Sequence, residues 1–299
     1  MQRQNVSAAG KRDLAGSLSG ANALLCSVPL SGHAANGLSN GLQNVATKGS
    51  PVTQASPEVL KEFAPTGKLR AAINQGNTVL AQKGLNGEAL GITVDLAREL
   101  SKRLGLGLEL ITFDAAGKVF EALKRGVWDI AFLAVEPVRA AEIDFTAPYV
   151  LIEGTYMVPK ASALKKIDDV DKAGIRIAVA TGSAYDLYLT RTIKNATLVR
   201  APTGPDALNM FVRDKLEAAG GVKQPLVEFA AANPGVRVMD GRFMAIQQAM
   251  GMPKGRPNAL AYLKGFVEEM KASGFVADAL KRSNQDAAVA PPATNTGSP

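Results

Sequence analysis

The stretch EALKRGVWDIAFLAVEPVRAAEIDFTAPY, residues 121–149, decides the fold. Its centre, residues 128–134, is a nearly continuous apolar run, which predicts a strand covered on both faces of a sheet. Arg139 follows this strand after a short turn, so we expect it at the carboxyl edge of the sheet, where open α/β sheets bind ligands. Its guanidinium offers two parallel donors that match a carboxylate. Alternatively, Arg139 pairs with Glu142 or Asp144 nearby in the chain.

Strand and helix patterns alternate on both sides of this stretch. In the helix predicted over residues 95–104, leucines recur every fourth residue, and Gly105 follows as a stop signal. Alternating strands and helices indicate an α/β fold with mainly parallel sheets, and two such sets indicate two lobes. The predicted strands are 68–73, 108–113, 128–134, 175–180, 216–219, 236–239 and 244–252, and the predicted helices are 95–104, 118–125, 182–189, 206–214, 225–232 and 259–273.

The composition excludes several kinds of active site. The chain of 299 residues has one cysteine, Cys26, and one histidine, His33. From residue 36 onward there is therefore no zinc finger, no Ser-His-Asp triad and no internal disulfide. We expect no metal and no cofactor. Any chemistry would come from carboxylates, Lys, Arg, Tyr, Ser or Thr.

The charge balance favours a small anionic partner over a nucleic acid. The formal net charge is +7, from 34 Lys and Arg against 27 Asp and Glu. Such a charge attracts anionic ligands or surfaces, although it also serves solubility. No run of four basic residues occurs, and basic residues are not interleaved with aromatics, so nucleic acid is not expected as a partner.

Four ordered motifs carry a family resemblance. With their spacing, they resemble family 3 of the periplasmic solute-binding proteins, the receptors of polar amino-acid ABC importers, and the resemblance covers about residues 66–282. The motifs read Gly91-Asp95-Leu96-Ala97, Leu123-Gly126-Asp129, Pro137-Val138-Arg139 and Asp144-Phe145-Thr146-Pro148-Tyr149.

The resemblance implies a clamp that closes on its ligand, with the type II-like periplasmic-binding-protein fold. Lobe 1 would comprise residues 66–156 plus 245–283, and lobe 2 residues 157–244. Two crossing strands, near 154–159 and 240–245, would form the hinge. The resemblance further implies a monomer in the periplasm that serves an ABC permease and its ATPase subunit, with an anionic or zwitterionic solute as ligand.

The resemblance also places a carboxylate site. In the family, an Arg at the position of Arg139 grips the ligand's α-carboxylate, and the loop Gly182, Ser183 and Ala184 completes the cradle from lobe 2. Taken alone, this loop stands where a strand turns into a helix, so free N–H groups and the helix dipole there favour an anion. Alternatively, Ser183 is a plain helix N-cap.

The chain departs from the family where the ligand's ammonium would bind. Ala134 stands where the family usually has Ser or Thr, and Val222 stands where it has an Asp, with Lys223 next. Because an unpaired buried ammonium is costly, the hypothesis is that the ligand has a carboxylate without an α-ammonium, and that a second anionic group meets Lys223. If the alignment is shifted, Glu217 or Glu228 would serve instead.

Polar residues at the end of the first predicted strand would also face the cleft. Asn74 and Asn77 offer amides, which suit a polar ligand that forms hydrogen bonds, although an ordinary surface loop is the alternative.

A second function stays open beside the receptor. Some proteins of this fold family are dehydratases acting on cyclic carboxylic acids, which add a general acid to the arginine cradle. Glu136 and Glu153 are the candidates for that acid here. Binding without chemistry is the expectation.

Both ends of the chain differ in composition from the middle. Residues 1–64 are predicted to be a leader, either a secretory signal or a disordered segment, because a basic pair precedes a weakly apolar stretch and small residues. Residues 284–299 are predicted to be a disordered tail.

Overall fold

The computed structural model describes residues 55–294, so the predicted signal, with Cys26 and His33, lies outside the described residues. The strands are β1 Lys68–Asn74, β2 Gln82–Lys83, β3 Ala89–Leu90, β4 Gly107–Phe113, β5 Ile130–Ala134, β6 Ile143–Pro159, β7 Arg176–Ala180, β8 Thr197–Ala201, β9 Ala218–Val222, β10 Val236–Val238, β11 Met244–Pro253 and β12 Ala288–Val289. The helices are α1 Pro57–Phe63, α2 Ile92–Leu104, α3 Ala116–Leu123, α4 Pro137–Ala140, α5 Ala184–Thr192, α6 Gly204–Arg213, α7 Lys223–Ala232, α8 Pro257–Ala272 and α9 Phe275–Arg282, with a 3-10 turn at Ile167–Asp169.

Two parallel half-sheets form the frame. The first half-sheet has the order β4-β1-β5 and the second β9-β7-β8, and all pairs within each half run parallel. The predicted α/β fold, with two lobes and mainly parallel strands, is confirmed.

Two long antiparallel strands join the half-sheets. β11 pairs with β5 and with β6, and β6 pairs with β9, so the ten strands of the main sheet are continuous within the described residues. β6 changes partner at Gly154, which lies opposite Met244 of β11 and Val222 of β9. The predicted hinge strands meet at this residue. That the lobes bend here, and where each lobe begins and ends, stay predictions.

Helices cover both faces of the first half-sheet, as the apolar run in β5 predicts. All five residues of β5 are buried. Ile130 and Phe132 pack with α2, α8 and α9, whereas Ala131 and Leu133 pack with α3 and Trp128 on the opposite face. This two-residue alternation is the strand period, and it gives each face its own apolar core.

The second half-sheet is built the same way. Ile177 and Val179 of β7 pack against α5, and Ala178 packs against α6 and α7 on the other face. Within the described residues, no helix combines the length and apolar character needed to cross a membrane.

The predicted leader and tail were both wrong in part. Residues 57–63 form α1, which Ser56 caps and which buries Phe63 completely. Residues 288–289 form β12 on β6, and the adjacent Ala290 is buried and donates its N–H to the Tyr149 carbonyl. A few apolar residues pack each segment against the core, among them Val59 and Leu60 in α1 and Val289 in β12. The mostly polar composition of the two ends did not reveal this order.

Candidate functional site

A cavity of about 390 Å³ lies where six parallel strands end. The loops after β1 and β4 and the end of β5 form one wall, and the loops after β7 and β8 and the end of β9 form the other. The carboxyl ends of parallel strands expose free backbone groups and flexible loops, which is why α/β folds bind ligands there. Both half-sheets therefore contribute to one site.

Arg139 is the buried cation of this cavity. It lies in the short helix α4, directly after β5, and is only 1% exposed. Its Nη1 donates to the Ala134 carbonyl at 3.0 Å, and its Nη2 donates to the Gly182 carbonyl of the opposite wall at 2.9 Å. Its buried Nε has no hydrogen-bond partner among the described residues. The side chain thus bridges the two walls, and its Nε–H has no acceptor within the described residues.

No carboxylate of the described residues lies within ion-pair distance of Arg139. Glu142 faces Lys124 at 3.8 Å, and Asp144 does not pair with Arg139, so neither local alternative is realised. Burial lowers the pKa of Arg139 to about 10, while the Glu136 charge acts in the opposite direction. At neutral pH Arg139 remains a buried cation that forms no ion pair within the described residues.

The loop of Gly182, Ser183 and Ala184 faces the cavity with fewer free donors than predicted. The Gly182 N–H donates to Asp186 Oδ2 at 2.8 Å, and the Ser183 N–H donates to the Ala180 carbonyl at 3.1 Å. Of these three amides, only that of Ala184 has no acceptor within the described residues. Ser183 also acts as the N-cap, since its hydroxyl accepts from the Asp186 N–H. The buried Asp186 carboxylate was the missed partner.

The two walls touch beside Arg139. Gly182 has φ +67°, and a Cβ added to Gly117, at the start of α3, would lie 2.7 Å from the Thr181 carbonyl oxygen. Only glycine at position 117 permits this approach. An ion pair between Glu136 and Arg191, 2.7 Å long, also joins the two halves.

The structure brings most of the predicted site residues together. Asn74, Asn77, Ala134 and Val222 line the cavity, as do Arg139, Ser183 and Ala184. Gly182 contributes its carbonyl to Arg139 instead of lining the space. Their role in binding stays a prediction, whereas their convergence is a structural fact.

Lys223 does not belong to this group. Its Nζ pairs with Glu153 Oε2 at 2.8 Å and lines a second depression, beside the residues that follow α9. Lys223 is the first residue of α7 and directly follows Val222, but its side chain does not line the cavity. That Lys223 meets the ligand stays a prediction, which its pairing with Glu153 outside the cavity does not support.

Glu217 and Glu228, the alternative partners for a ligand ammonium, lie in different places relative to the cavity. Glu217 pairs with Arg176 at 2.9 Å and does not line the cavity. Glu228 lines the cavity from α7, where it is exposed. Asp114, exposed and paired with Lys118 at 2.7 Å, also borders the cavity and was missed.

Gln248 is the main cavity residue that the sequence did not single out. It lies in β11, is 5% exposed and lines the cavity beside Ala134, with which it is in register. The sequence did contain a signal for Gln248, because it is a polar residue in a predicted strand whose other inward-facing positions are apolar.

The two candidate acids for a dehydratase do not line the cavity. Glu136 is buried against Arg191. Glu153 accepts hydrogen bonds from Lys223 and Arg242, and the Lys223 ammonium lowers the pKa of Glu153. A general acid needs a raised pKa and access to the substrate, and this geometry favours neither for Glu153.

Comparisons with known proteins agree with the fold. The model of the bacterial extracellular solute-binding proteins, family 3, matches residues 69–284. A curated relative, the amino-acid-binding protein AabA of Dichelobacter nodosus, is 25% identical over 148 residues, which are 48% of this chain and 58% of that protein. The chain thus aligns with little more than half the length of that relative.

Solved structures share the fold at low identity. A mutant of ArgBP from T. maritima gives a TM-score of 0.66 at 21% identity and covers 76% of this chain and 99% of its own. An ancestral amino-acid-binding protein, AncCDT-1, described as a precursor of cyclohexadienyl dehydratase, gives 0.63 at 24% identity, with 75% and 98% covered. Since the family model spans well over half of the chain, the protein belongs to family 3 of the bacterial extracellular solute-binding proteins.

Proposed function

We propose that this protein is the substrate-binding component of an ABC importer and that it captures a small solute with a carboxylate between its two lobes. The observation that carries the proposal is Arg139, a buried cation at the point where both half-sheets end, which has no ion-pair partner among residues 55–294. Buried charges in folded proteins are normally paired, so a ligand carboxylate is the natural partner.

Contacts to both walls couple binding to closure. Arg139 follows β5 of the first half-sheet and donates to Gly182 of the second. A carboxylate that binds the free Nε–H and the Ala184 N–H would touch both walls at once. The ligand would then stabilise the closed form by its differential affinity for it.

The protein would bind and release its solute without chemistry. Delivery would require a membrane permease and its ATPase subunit, and the protein would act in the periplasm as a monomer. The family's importer role and the cavity between two half-sheets support this part of the proposal.

A ligand screen that compares acids with their amides tests the carboxylate. Carboxylic acids are expected to raise the melting temperature, whereas their primary amides, which keep the shape without the charge, are not. Arg139→Lys keeps the charge but loses the planar pair of donors, so it should bind the same acids more weakly. Equal binding of acids and amides would overturn the proposal.

A further inference from the structure

The amides in the cavity lack partners of their own. The Gln248 side chain makes no hydrogen bond within the described residues, although it is 5% exposed and lines the cavity. Asn77, 8% exposed, also lines it, and its Oδ1 is buried without a donor. Buried polar atoms are normally satisfied, so the Asn77 oxygen, together with the Gln248 amide that lines the cavity without a partner in the described residues, favours a polar ligand group.

The charges around these amides disfavour a cationic group. Of the charged side chains that line the cavity, Arg139 is the buried one. The carboxylates among the described lining residues are Asp114, paired with Lys118, and Glu228, and both are exposed. An ammonium beside the buried amides would therefore lie near a like charge without a buried counter-charge.

We propose that Gln248 and Asn77 are specificity-determining residues, which hold an uncharged hydroxyl or carboxamide of a ligand whose carboxylate binds Arg139. This inference rests on the proposed function. A group that donates a hydrogen bond would satisfy the Asn77 Oδ1, which can only accept, whereas the Gln248 amide can both donate and accept. A hydroxyl or a carboxamide donates without charge, whereas a keto oxygen cannot donate. The substrate class is then a monocarboxylate with an uncharged donor.

A panel on matched carbon skeletons tests the class. Isothermal titration calorimetry would compare 4-methylpentanoate with its 2-hydroxy, 2-oxo and 2-amino (leucine) counterparts, and glutaramate with glutarate. We expect the hydroxy acid or the carboxamide acid to bind at least about tenfold more tightly than its amino or dicarboxylate counterpart, because the latter leave charge unpaired or repelled.

Two neighbouring glutamines provide a matched pair of variants. Gln248→Leu keeps the volume but removes the amide, so affinity for the favoured acid should fall about tenfold while affinity for 4-methylpentanoate should not. Gln247 is the next residue of β11 and is exposed. Gln247→Leu should change neither affinity.

The outcomes separate this inference from the proposed function. If no acid binds more tightly than its amide, the proposed function fails. If acids bind through Arg139 but the amino acid binds as tightly as the hydroxy acid, or if Gln248→Leu weakens all acids equally, only the present inference fails. In that case, loss of amino-acid binding in Asp114→Asn or Glu228→Gln would show where the ammonium sits.

Discussion

A buried charged residue lies at each end of strand β5, and the two differ in whether they form an ion pair. Asp129, just before the strand, is fully buried and accepts from the Arg70 guanidinium at 2.8 Å and from Arg256 at 3.1 Å. Arg139, just after the strand, is equally buried, but its hydrogen-bond partners in the described part of the chain are two carbonyl groups. Asp129 is thus paired with two guanidinium groups, whereas Arg139 has no ion-pair partner there.

This difference separates the motif residues by role. Asp129 ties together β1, the start of β5 and the residue before α8, so it holds the first half-sheet in place. Arg139 leaves its charge available at the ligand-binding edge. A buried charge that is fully paired serves the fold, whereas one that is unpaired points to a ligand.

Removing the paired charge should have the largest effect, and on stability. Asp129→Ala removes a fully buried carboxylate and leaves two partly buried guanidinium groups without it, so we expect the free energy of unfolding to fall by about 3 kcal/mol. Urea denaturation measures this. Asp95→Ala is the control, since Asp95 pairs with Arg282 in a more exposed ion pair, and should lower stability by no more than about 1 kcal/mol. Equal effects of the two variants would contradict the comparison.

Removing the unpaired charge should act on binding instead. Arg139→Met keeps the apolar stem, and ligand affinity should fall by about 2–5 kcal/mol, which is roughly thirtyfold to several thousandfold. The ligand-free protein should lose much less stability than Asp129→Ala does, because a hydrophobic residue of similar volume often replaces a buried charge without loss. Calorimetry and urea denaturation give the two numbers. A large loss of stability with unchanged affinity would assign Arg139 to the fold.

The sequence predicted the half-sheets because their signal is local. The apolar run of β5 and the leucine spacing of α2 depend on neighbouring residues only, and both elements lie where they were expected. The residues alone placed Arg139 and the 182–184 loop each at the carboxyl end of a strand. That the two converge was implied by the family resemblance.

The rest depended on contacts between distant residues. Whether the Gly182 amide is free is decided by Asp186 one turn later, and the direction of Lys223 is decided by Glu153 on another strand. The order of α1 and β12 likewise depends on burial against distant elements. Residue composition and motif spacing do not predict which distant residues pair with one another.

Disturbing the contact between the two walls should have a smaller effect, and this effect should be on closure of the cavity. Gly117→Ala places a methyl group 2.7 Å from the Thr181 carbonyl oxygen, so the walls must separate slightly. We expect an affinity loss of about tenfold, because the ligand must then close a strained interface. Small-angle scattering should show a less compact ligand-bound form.

A second glycine controls for the added methyl group. Gly265, within α8, has no atom within 4 Å of an added Cβ. Gly265→Ala should leave affinity and compactness unchanged and should slightly stabilise the helix. If Gly117→Ala binds and closes like this control, the contact of the two walls is not needed for closure.

The smallest effect is expected at Lys223, and it defines the edge of the site. Its ion pair with Glu153 is partly exposed, with 44% and 36% of the side chains accessible, so Lys223→Ala should lower stability by about 1 kcal/mol or less and leave ligand affinity unchanged. Lys223 lowers the pKa of Glu153 in the folded protein, so the stabilisation is present above the unfolded pKa of that carboxyl and is lost as the pH falls through the folded value.

The variant should therefore flatten the acid side of the stability profile slightly while the binding profile keeps its shape. Denaturation and calorimetry across the acid range distinguish the two. A tenfold loss of affinity in Lys223→Ala would mean that a second anionic group of the ligand reaches this ammonium. The boundary drawn between the cavity and the depression around Glu153 would then be wrong, and the uncharged ligand group inferred for Gln248 and Asn77 would have to share the site with a second acid.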